Sequence, residues 1–211
     1  MGNRTALVIT GGKAPPQSII EPLLRECDFL VAADSGLEQS LLYGRRPDLV
    51  VGDMDSLSNR ALLDTFAPEQ VKIYPTDKDY TDTELALDEI AGYDKKILIG
   101  GGEGRLDHTL ALLALFESDR RPDFWFSRRE EIFLLDRCLE LEGKPGELIS
   151  FYPLGNRDVF FKSEGLVWPL EPVRWDRGEL SLSNRFRQNK VSLERVRGSL
   201  LVIRSFPDLP A

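Results

Sequence analysis

Short apolar runs alternate with longer amphipathic stretches through the first two thirds of the chain. The runs are bounded by Gly, Asp or Ser and predict six β-strands: Ala6–Thr10, Phe29–Ala33, Leu49–Val51, Val71–Tyr74, Lys96–Ile99 and Phe124–Phe126. The stretches between them carry apolar residues at three- and four-residue spacing, which predicts helices over 18–26, 36–43, 58–66, 81–91 and 106–117. Because continuously apolar strands alternate with helices, we expect an α/β fold in which a mostly parallel sheet has helices on both faces.

The pattern changes after Glu130–Asp136. Helical spacing disappears, Gly recurs at short intervals, and alternating segments predict strands: Glu147–Tyr152, Val159–Lys162, Glu179–Leu182, Lys190–Leu193 and Leu200–Arg204. Short strands separated by closely spaced turns are typical of a small antiparallel β-sandwich. We therefore expect an α/β domain over residues 1–136, followed by a smaller C-terminal β-sandwich domain over residues 137–211.

Composition places the chain among ordinary globular proteins. Of its 211 residues, 42% are hydrophobic and 29% are charged, and the longest apolar run, Leu110–Phe116, is far shorter than the roughly 18 residues of a membrane-spanning helix. No long apolar stretch precedes a cleavage site near the N-terminus. Cys27 and Cys138 lie far apart and match no zinc or redox spacing. We expect a cytoplasmic protein without membrane attachment.

Charge is distributed unevenly between the two halves. The net charge of −8 argues against broad nucleic-acid binding. Residues 1–136 carry 15 Lys and Arg against 25 Asp and Glu, whereas residues 137–211 carry 12 against 10. Between Asp48 and Asp94 there are 12 carboxylates and only three basic side chains. This density of negative charge requires cations or solvent.

Several of these carboxylates follow predicted strands. Asp34 and the pair Asp53 and Asp55 lie where the second and third strands end, the edge at which open parallel sheets bind ligands. Two carboxylates that are two residues apart in an irregular turn can converge on one hard cation. Mg²⁺ fits best, because it prefers one or two carboxylates together with water and phosphate oxygens. A helix N-cap at Asp34 and a solvated acidic turn at Asp53 and Asp55 remain the structural alternatives.

A second acidic connection covers residues 77–82 and includes Lys78. Thr81 and Glu84 have the spacing of a capping box, which explains the start of a helix there. The capping box does not explain why several carboxylates lie in one connection, since their mutual repulsion would raise their pKa values unless a cation or Lys78 offset it.

The segment Gly100–Gly104 runs from a strand into a helix and offers unhindered backbone amides that suit phosphate. It matches neither the P-loop nor the dinucleotide-binding pattern. Arg105 can hold phosphate oxygens in a bidentate manner, and Asp107 can hold a metal, orient Arg105 or act as a base. His108, the only histidine, is either structural or a third member of this group.

In the second half, Gly165–Leu170 and Ser181–Asn184 interrupt the strand-like pattern. Trp168 can fill a core, or it can form a platform for a flat heteroaromatic ligand with hydroxyl and amide groups nearby.

Six segments carry a family resemblance: Asp34-Ser35-Gly36, PDLVVGDMDS at 47–56, DYTDTELAL at 79–87, GRLDHTL at 104–110, GLVWPL at 165–170 and SLSN at 181–184. In this order they resemble the thiamine pyrophosphokinase family over nearly the whole chain. Ser35, Glu103 and Leu112 depart from residues that are common in that family.

The resemblance implies a homodimer with active sites shared between subunits. It also implies transfer of the terminal diphosphate of ATP to the thiamine hydroxyl, which gives thiamine diphosphate and AMP. The implied Mg²⁺ ligands are Asp53, Asp55 and Asp82. The implied catalytic residues are these three carboxylates together with Arg105 and Asp107. The implied nucleotide-binding residues are Asp34, Ser35, Lys78, Thr81, Gly104 and His108. The implied thiamine-binding residues are Trp168, Ser183 and Asn184.

The sequence is also compatible with two other functions. A haloacid-dehalogenase-like phosphatase also uses an Asp-x-Asp after a strand, although its pair follows an apolar strand near the N-terminus. A non-catalytic nucleotide or thiamine sensor on the same fold would retain Trp168 but would not need Asp53, Asp55 and Asp82.

Overall fold

The computed structural model describes residues 3–155 and 158–206, which form two compact units, Met1–Arg128 and Arg129–Ala211. The structure places the division earlier than residue 136. The reason is that the strand Glu130–Leu135, which sequence reasoning did not assign, pairs along its length with Leu200–Ser205 of the second unit.

The first unit is an α/β structure built on six strands. Its elements in chain order are β1 (Thr5–Ile9), α1 (Gln17–Glu26), β2 (Phe29–Ala33), α2 (Gly36–Leu42), β3 (Leu49–Gly52), β4 (Val71–Ile73), α3 (Asp82–Glu89), β5 (Lys95–Ile99), α4 (Leu106–Ala114) and β6 (Phe124–Phe126). The strand order is β6-β5-β1-β2-β3-β4, and each neighbouring pair is parallel. The six predicted strands and the parallel sheet are confirmed.

One predicted helix has a different form. Residues 58–66 contain a 3₁₀ segment, Arg60–Thr65, in place of an α-helix. The Asn59 side chain accepts a hydrogen bond from the Ala61 N–H, which stabilises a tight start, and no residue of the segment is fully buried. Short helices depend on a buried face for their stability, so little here favours a longer α-helix.

Both faces of the parallel sheet are covered. Ala6, Leu7, Val8 and Ile9 in β1 have no exposed surface, although successive side chains of a strand point to opposite faces. Within residues 3–155 and 158–206, none of the helices is long and apolar enough to cross a membrane.

The chain order reverses between β1 and β5. From β1 the chain continues through β2, β3 and β4 on one side, and β5 and β6 then pair on the other. Open α/β sheets bind ligands outside the carboxyl ends of the strands, near such a reversal. We therefore expect ligand-binding residues in the loops that follow β1, β2, β3 and β5.

The second unit consists of two antiparallel sheets. Its strands are β7 (Glu130–Leu135), β8 (Leu139–Glu142), β9 (Leu148–Pro153), β10 (Phe160–Glu164), β11 (Ser181–Arg185), β12 (Lys190–Arg197) and β13 (Leu200–Ser205). One sheet has the order β11-β9-β13-β7 and the other β10-β12-β8. The largest side chains of its core are Phe151, Phe161, Trp175 and Phe186, each at most 2% exposed. The predicted antiparallel β-sandwich is confirmed, although β7 and β8 were not predicted and β11 begins later than the predicted Glu179–Leu182.

Gly36 allows α2 to begin directly against β1. A Cβ at this position would lie 2.0 Å from the carbonyl oxygen of Ile9, which is a backbone atom and cannot rotate away. Gly36 is therefore required for the close approach of this helix to the end of β1.

We predict that Gly36→Ala lowers the free energy of unfolding by about 1–3 kcal/mol, the usual cost of overpacking. Alanine ordinarily stabilises a helical position by about 0.4–1 kcal/mol, but the clash with Ile9 outweighs that gain. Urea denaturation measures the difference. Gly92→Ala is the matched control, because a Cβ there meets no atom within 4 Å, and it should change the value by less than about 0.5 kcal/mol. Equal stabilities of the two variants would contradict the close approach.

Candidate functional site

Three carboxylates meet at the carboxyl edge of the parallel sheet. Asp34 directly follows β2, Asp53 directly follows β3, and Asp82 is the first residue of α3. One oxygen of each lies within 4.8 Å of the others. Because β2 and β3 are parallel neighbours, their ends bring Asp34 and Asp53 together. We call Asp34, Asp53 and Asp82 the acidic cluster.

The backbone before and after Asp53 makes this approach possible. Gly52 has a φ of +148°, and a Cβ there would lie 3.1 Å from Cγ of Asp82 and 3.2 Å from Cβ of Asp34. Met54 has a φ of +63° and its side chain is fully buried. Non-glycine residues rarely adopt a left-handed conformation, and buried packing of Met54 holds the turn in place.

Lys78 lies between two members of the acidic cluster. Its Nζ donates a hydrogen bond of 2.9 Å to Oδ2 of Asp53 and lies 3.1 Å from Oδ1 of Asp82. The Lys78 hydrogen bond lowers the pKa of Asp53. Partial burial acts to lower the pKa of Lys78, but its contacts with Asp53 and Asp82 outweigh that effect and raise it.

Asp34 is the buried residue of the acidic cluster, whereas Asp53 and Asp82 are each partly exposed. Its side-chain atom Oδ1 is buried and accepts no hydrogen bond from the described residues. Burial raises the pKa of Asp34, with the charges of Asp82 and Asp55 adding to it, and burial also raises the pKa of Asp82. A buried carboxylate oxygen without a partner is costly, so the donor set fits a bound cation.

Asp55 lies outside this group. It is exposed, its backbone N–H donates to Oδ1 of Asp53 at 3.2 Å, and its Oδ1 accepts from the Ser56 hydroxyl at 2.9 Å. The structure thus groups Asp34 with Asp53 and Asp82, whereas the sequence-predicted set contained Asp55 and gave Asp34 a supporting role.

Thr81 positions Asp82 at the start of α3. Its hydroxyl accepts the Glu84 N–H at 3.2 Å, and the Glu84 carboxylate accepts the Thr81 N–H at 2.8 Å, so the predicted capping box is present. The first turn of the helix has a positive end that favours the charge of Asp82.

Ser35 lies beside the loop that follows β1. A Cβ on Gly11 would lie 2.3 Å from the Ser35 hydroxyl oxygen, so Ser35 occupies space next to that glycine. Ser35, which differs from the residue common in the family at this position, is therefore packed against Gly11.

A separate group surrounds the start of α4. Arg105 donates two hydrogen bonds to Asp107, of 3.1 Å and 2.6 Å, and the His108 N–H donates to Asp107 at 3.0 Å. The Arg105 hydrogen bonds lower the pKa of Asp107. These three residues and Gly104 are exposed, so their functional groups are accessible to a ligand.

The glycine-rich loop before α4 is linked to the loop after β1. Lys13 and Gly102 exchange two backbone hydrogen bonds, of 2.7 Å and 3.0 Å. Glu103 accepts hydrogen bonds of 2.8 Å from Arg128, and Lys13 Nζ lies 3.9 Å from it. The basic residues Lys13 and Arg128 were missed by sequence reasoning, although Lys13 follows a glycine pair at the end of the first strand.

Leu112 packs at Gly101. A Cβ on Gly101 would lie 2.3 Å from Cδ1 of Leu112.

The residues predicted to bind the aromatic ligand differ in exposure. Trp168 is 56% exposed, and Ser183 is exposed in a bulge of β11 with a φ of +53°. Asn184 is only 1% exposed, and its amide is fully used within the unit: it accepts the N–H groups of Trp168 and Arg185 and donates to the Trp168 carbonyl and the Ser181 hydroxyl. Asn184 therefore holds the backbone of Trp168.

The fold and the acidic cluster define an α/β protein with a C-terminal β-sandwich and a candidate cation site at the carboxyl edge of its parallel sheet. The family described as "Thiamin pyrophosphokinase, catalytic domain" matches residues 20–124. The chain belongs to the thiamine pyrophosphokinase family.

Relatives match over most of the chain. It is 26% identical to the thiamine pyrophosphokinase of Bacillus subtilis, over 96% of this chain and 99% of that protein. The chain is also 24% identical to thiamin pyrophosphokinase 1 of Caenorhabditis elegans, over 82% of this chain and 78% of that protein. The crystal structure of the B. subtilis protein has the same fold, with a TM-score of 0.78 over 98% of this chain and 100% of that one.

We predict that Asn184→Ala lowers the free energy of unfolding of the protein by about 2–4 kcal/mol, because it removes a buried amide that makes four hydrogen bonds, one of them with the buried hydroxyl of Ser181. Chemical denaturation measures the loss. Asn189→Ala, which removes an exposed asparagine, should differ from the wild type by less than about 0.5 kcal/mol. A stable Asn184→Ala variant would show that its amide is not needed to hold Trp168.

Proposed function

We propose that the protein transfers the terminal diphosphate of ATP to the hydroxyl of thiamine and releases thiamine diphosphate and AMP. The observation that carries the proposal is the acidic cluster, with its unpartnered Asp34 Oδ1, in a member of the thiamine pyrophosphokinase family. The names of the two curated relatives support the choice of substrate.

The acidic cluster suits Mg²⁺. All three donors are hard carboxylate oxygens, few enough to leave positions for water and phosphate oxygens, which is the coordination that Mg²⁺ prefers. Asp34, Asp53 and Asp82 would hold the ion, and Asp55, whose N–H donates to Oδ1 of Asp53 at 3.2 Å, would hydrogen-bond water around it. When bound, the ion supplies neutralisation of the phosphate charge.

The chain's own residues bind and orient the phosphates. Diphosphoryl transfer depends mainly on positioning and charge stabilisation. The Arg105 guanidinium can exchange the carboxylate of Asp107 for phosphate oxygens with the same bidentate geometry. Lys78 and the amides around Gly104 add positive charge and hydrogen-bond donors. Ser35, Thr81 and His108 line or support the nucleotide site in this proposal.

Trp168 supplies the thiamine platform. The residue is 56% exposed, and Asn184 holds its backbone N–H and carbonyl, so the point from which the ring extends is fixed. Leu182 and Val167 are also exposed, at 59% and 39%. An aromatic ligand that stacks on Trp168 would cover apolar surface, and the Ser183 hydroxyl would offer a polar contact.

The alternative functions are less well supported. A haloacid-dehalogenase-like phosphatase disagrees with the family match. A non-catalytic sensor would not require the acidic cluster, which costs electrostatic repulsion to maintain.

Assembly and location follow the same proposal. The acidic cluster belongs to the first unit and Trp168 to the second, and we propose that a homodimer in the cytoplasm completes each active site with residues from both subunits.

We predict that Asp53→Asn and Asp82→Asn each lower kcat/KM by about a hundredfold or more, because each removes a charge from the acidic cluster. The assay supplies ATP, Mg²⁺ and thiamine and separates AMP from ADP by chromatography. Asp64→Asn, an exposed carboxylate in the same unit, is the control and should retain activity. AMP with thiamine diphosphate supports the proposal. ADP would indicate an ordinary kinase, and phosphate without an acceptor product would indicate a phosphatase.

We predict that mixing two inactive variants restores activity. In a heterodimer of Asp53→Asn and Trp168→Ala chains, one site would combine both changes and the other would combine the intact Asp53 of one chain with the intact Trp168 of its partner. Each heterodimer would therefore have one active site in two. Because half of the dimers are heterodimers after random exchange of an equal mixture, we expect recovery toward about a quarter of the wild-type activity, and mass spectrometry can verify the exchange. Exchange without recovery, or an active monomer by sedimentation, would mean that each chain forms its own complete site.

A further inference from the structure

Lys78 forms ion pairs with two carboxylates of the acidic cluster and is held tightly there. Its side chain is only 14% exposed, with Nζ 2.9 Å from Asp53 Oδ2 and 3.1 Å from Asp82 Oδ1. Asp53 and Asp82 are themselves 8% and 20% exposed. A lysine on the protein surface would be hydrated and mobile, whereas this one bridges two carboxylates.

A bridging ammonium and a divalent cation need the same oxygens. Mg²⁺ binds carboxylate oxygens at about 2.0–2.1 Å, so both charges would lie within a few ångströms of each other if Lys78 stayed in place. Repulsion between them at such a distance is large even at an intermediate dielectric constant. The two cations therefore compete for Asp53 and Asp82.

The surrounding segment allows Lys78 to leave. The connection between β4 and α3 is largely exposed, with Asp77, Asp79 and Tyr80 at the surface. The Tyr80 ring is covered by the Arg120 guanidinium, 4.4 Å from its centroid, and Arg120 is also bound to Asp88 of α3. This contact holds the end of the connection, so the long Lys78 side chain can rotate without displacement of α3.

We propose that Lys78 is an exchangeable internal counter-ion, which holds Asp53 and Asp82 together and is displaced when a divalent cation binds to the acidic cluster. The inference rests on the proposed function only in that a cation binds to the acidic cluster. It does not depend on ATP and thiamine being the substrates. A displaced ammonium next to bound phosphates would then add its charge to their binding.

The first test measures cation affinity without nucleotide. Mn²⁺ serves as the probe, and its binding to the whole protein is followed by electron paramagnetic resonance. We expect Lys78→Met to bind Mn²⁺ about tenfold more tightly than the wild type, because a competing ion pair has been removed. Lys72→Met is the matched control, since Lys72 pairs with Glu89 at 2.6 Å and should leave the affinity unchanged. Equal or weaker binding by Lys78→Met, or no binding by any variant, would overturn the inference.

The second test uses the unchanged protein and so does not depend on the folding of a variant. Lysine acetylation is followed by mass spectrometry with and without Mg²⁺. We expect the modification rate of Lys78 to rise severalfold when Mg²⁺ is added, while that of Lys72 stays constant. An unchanged or slower rate at Lys78 would overturn the inference.

The two proposals fail in different ways. Tighter Mn²⁺ binding by Lys78→Met, together with no thiamine diphosphate formation by the wild-type protein, would support the counter-ion and contradict the proposed enzyme activity. Normal product formation with no change in Mn²⁺ affinity would leave the activity in place and overturn the counter-ion.

Discussion

Repulsion among Asp34, Asp53 and Asp82 is the constraint around which the candidate site is arranged. The carboxylate oxygens lie within 4.8 Å of one another, and at that limit two full negative charges repel by roughly 3–4 kcal/mol at an effective dielectric constant of about 20. The sheet tolerates this because β2 and β3 are anchored in a fully buried core, and because Lys78 and the first turn of α3 supply positive charge. The stability of the buried core, together with Lys78 and the first turn of α3, thus offsets the repulsion among the three carboxylates.

The sequence predicts the scaffold well and the cluster less completely. Continuous apolar runs identified the six parallel strands, because strands buried on both faces need no polar alternation. The same reasoning placed Asp34 and Asp53 near one edge, and the family resemblance added Asp82. It did not separate Asp34 from Asp55, since that depends on the left-handed conformation of Met54, which local sequence preferences disfavour. The buried packing that stabilises Met54 is a tertiary effect.

Asn184 shows a similar limit. The Ser-x-Ser-Asn segment indicated a polar ligand contact, but the bulge in β11 turns Asn184 inward, where its amide is fully used, and leaves Ser183 exposed. Register shifts of this kind depend on pairing with β9 and carry no clear sequence signal. Lys13 was missed for a related reason, because its position beside Glu103 arises from pairing between two loops that are distant in sequence.

The charged groups of the first unit fall into two kinds, and the difference bears on how ligands would bind. The carboxylates of the acidic cluster are positioned by the ends of β2 and β3 and by the start of α3, so their arrangement exists before a ligand arrives, with Lys78 as their counter-ion. Arg105 and Asp107 form an exposed pair, which contributes little to stability and is easily exchanged for another anion. In the proposed function, carboxylates that are already assembled and an Arg105 side chain that readily exchanges its anion would together reduce the ordering needed to bind a metal–polyphosphate complex.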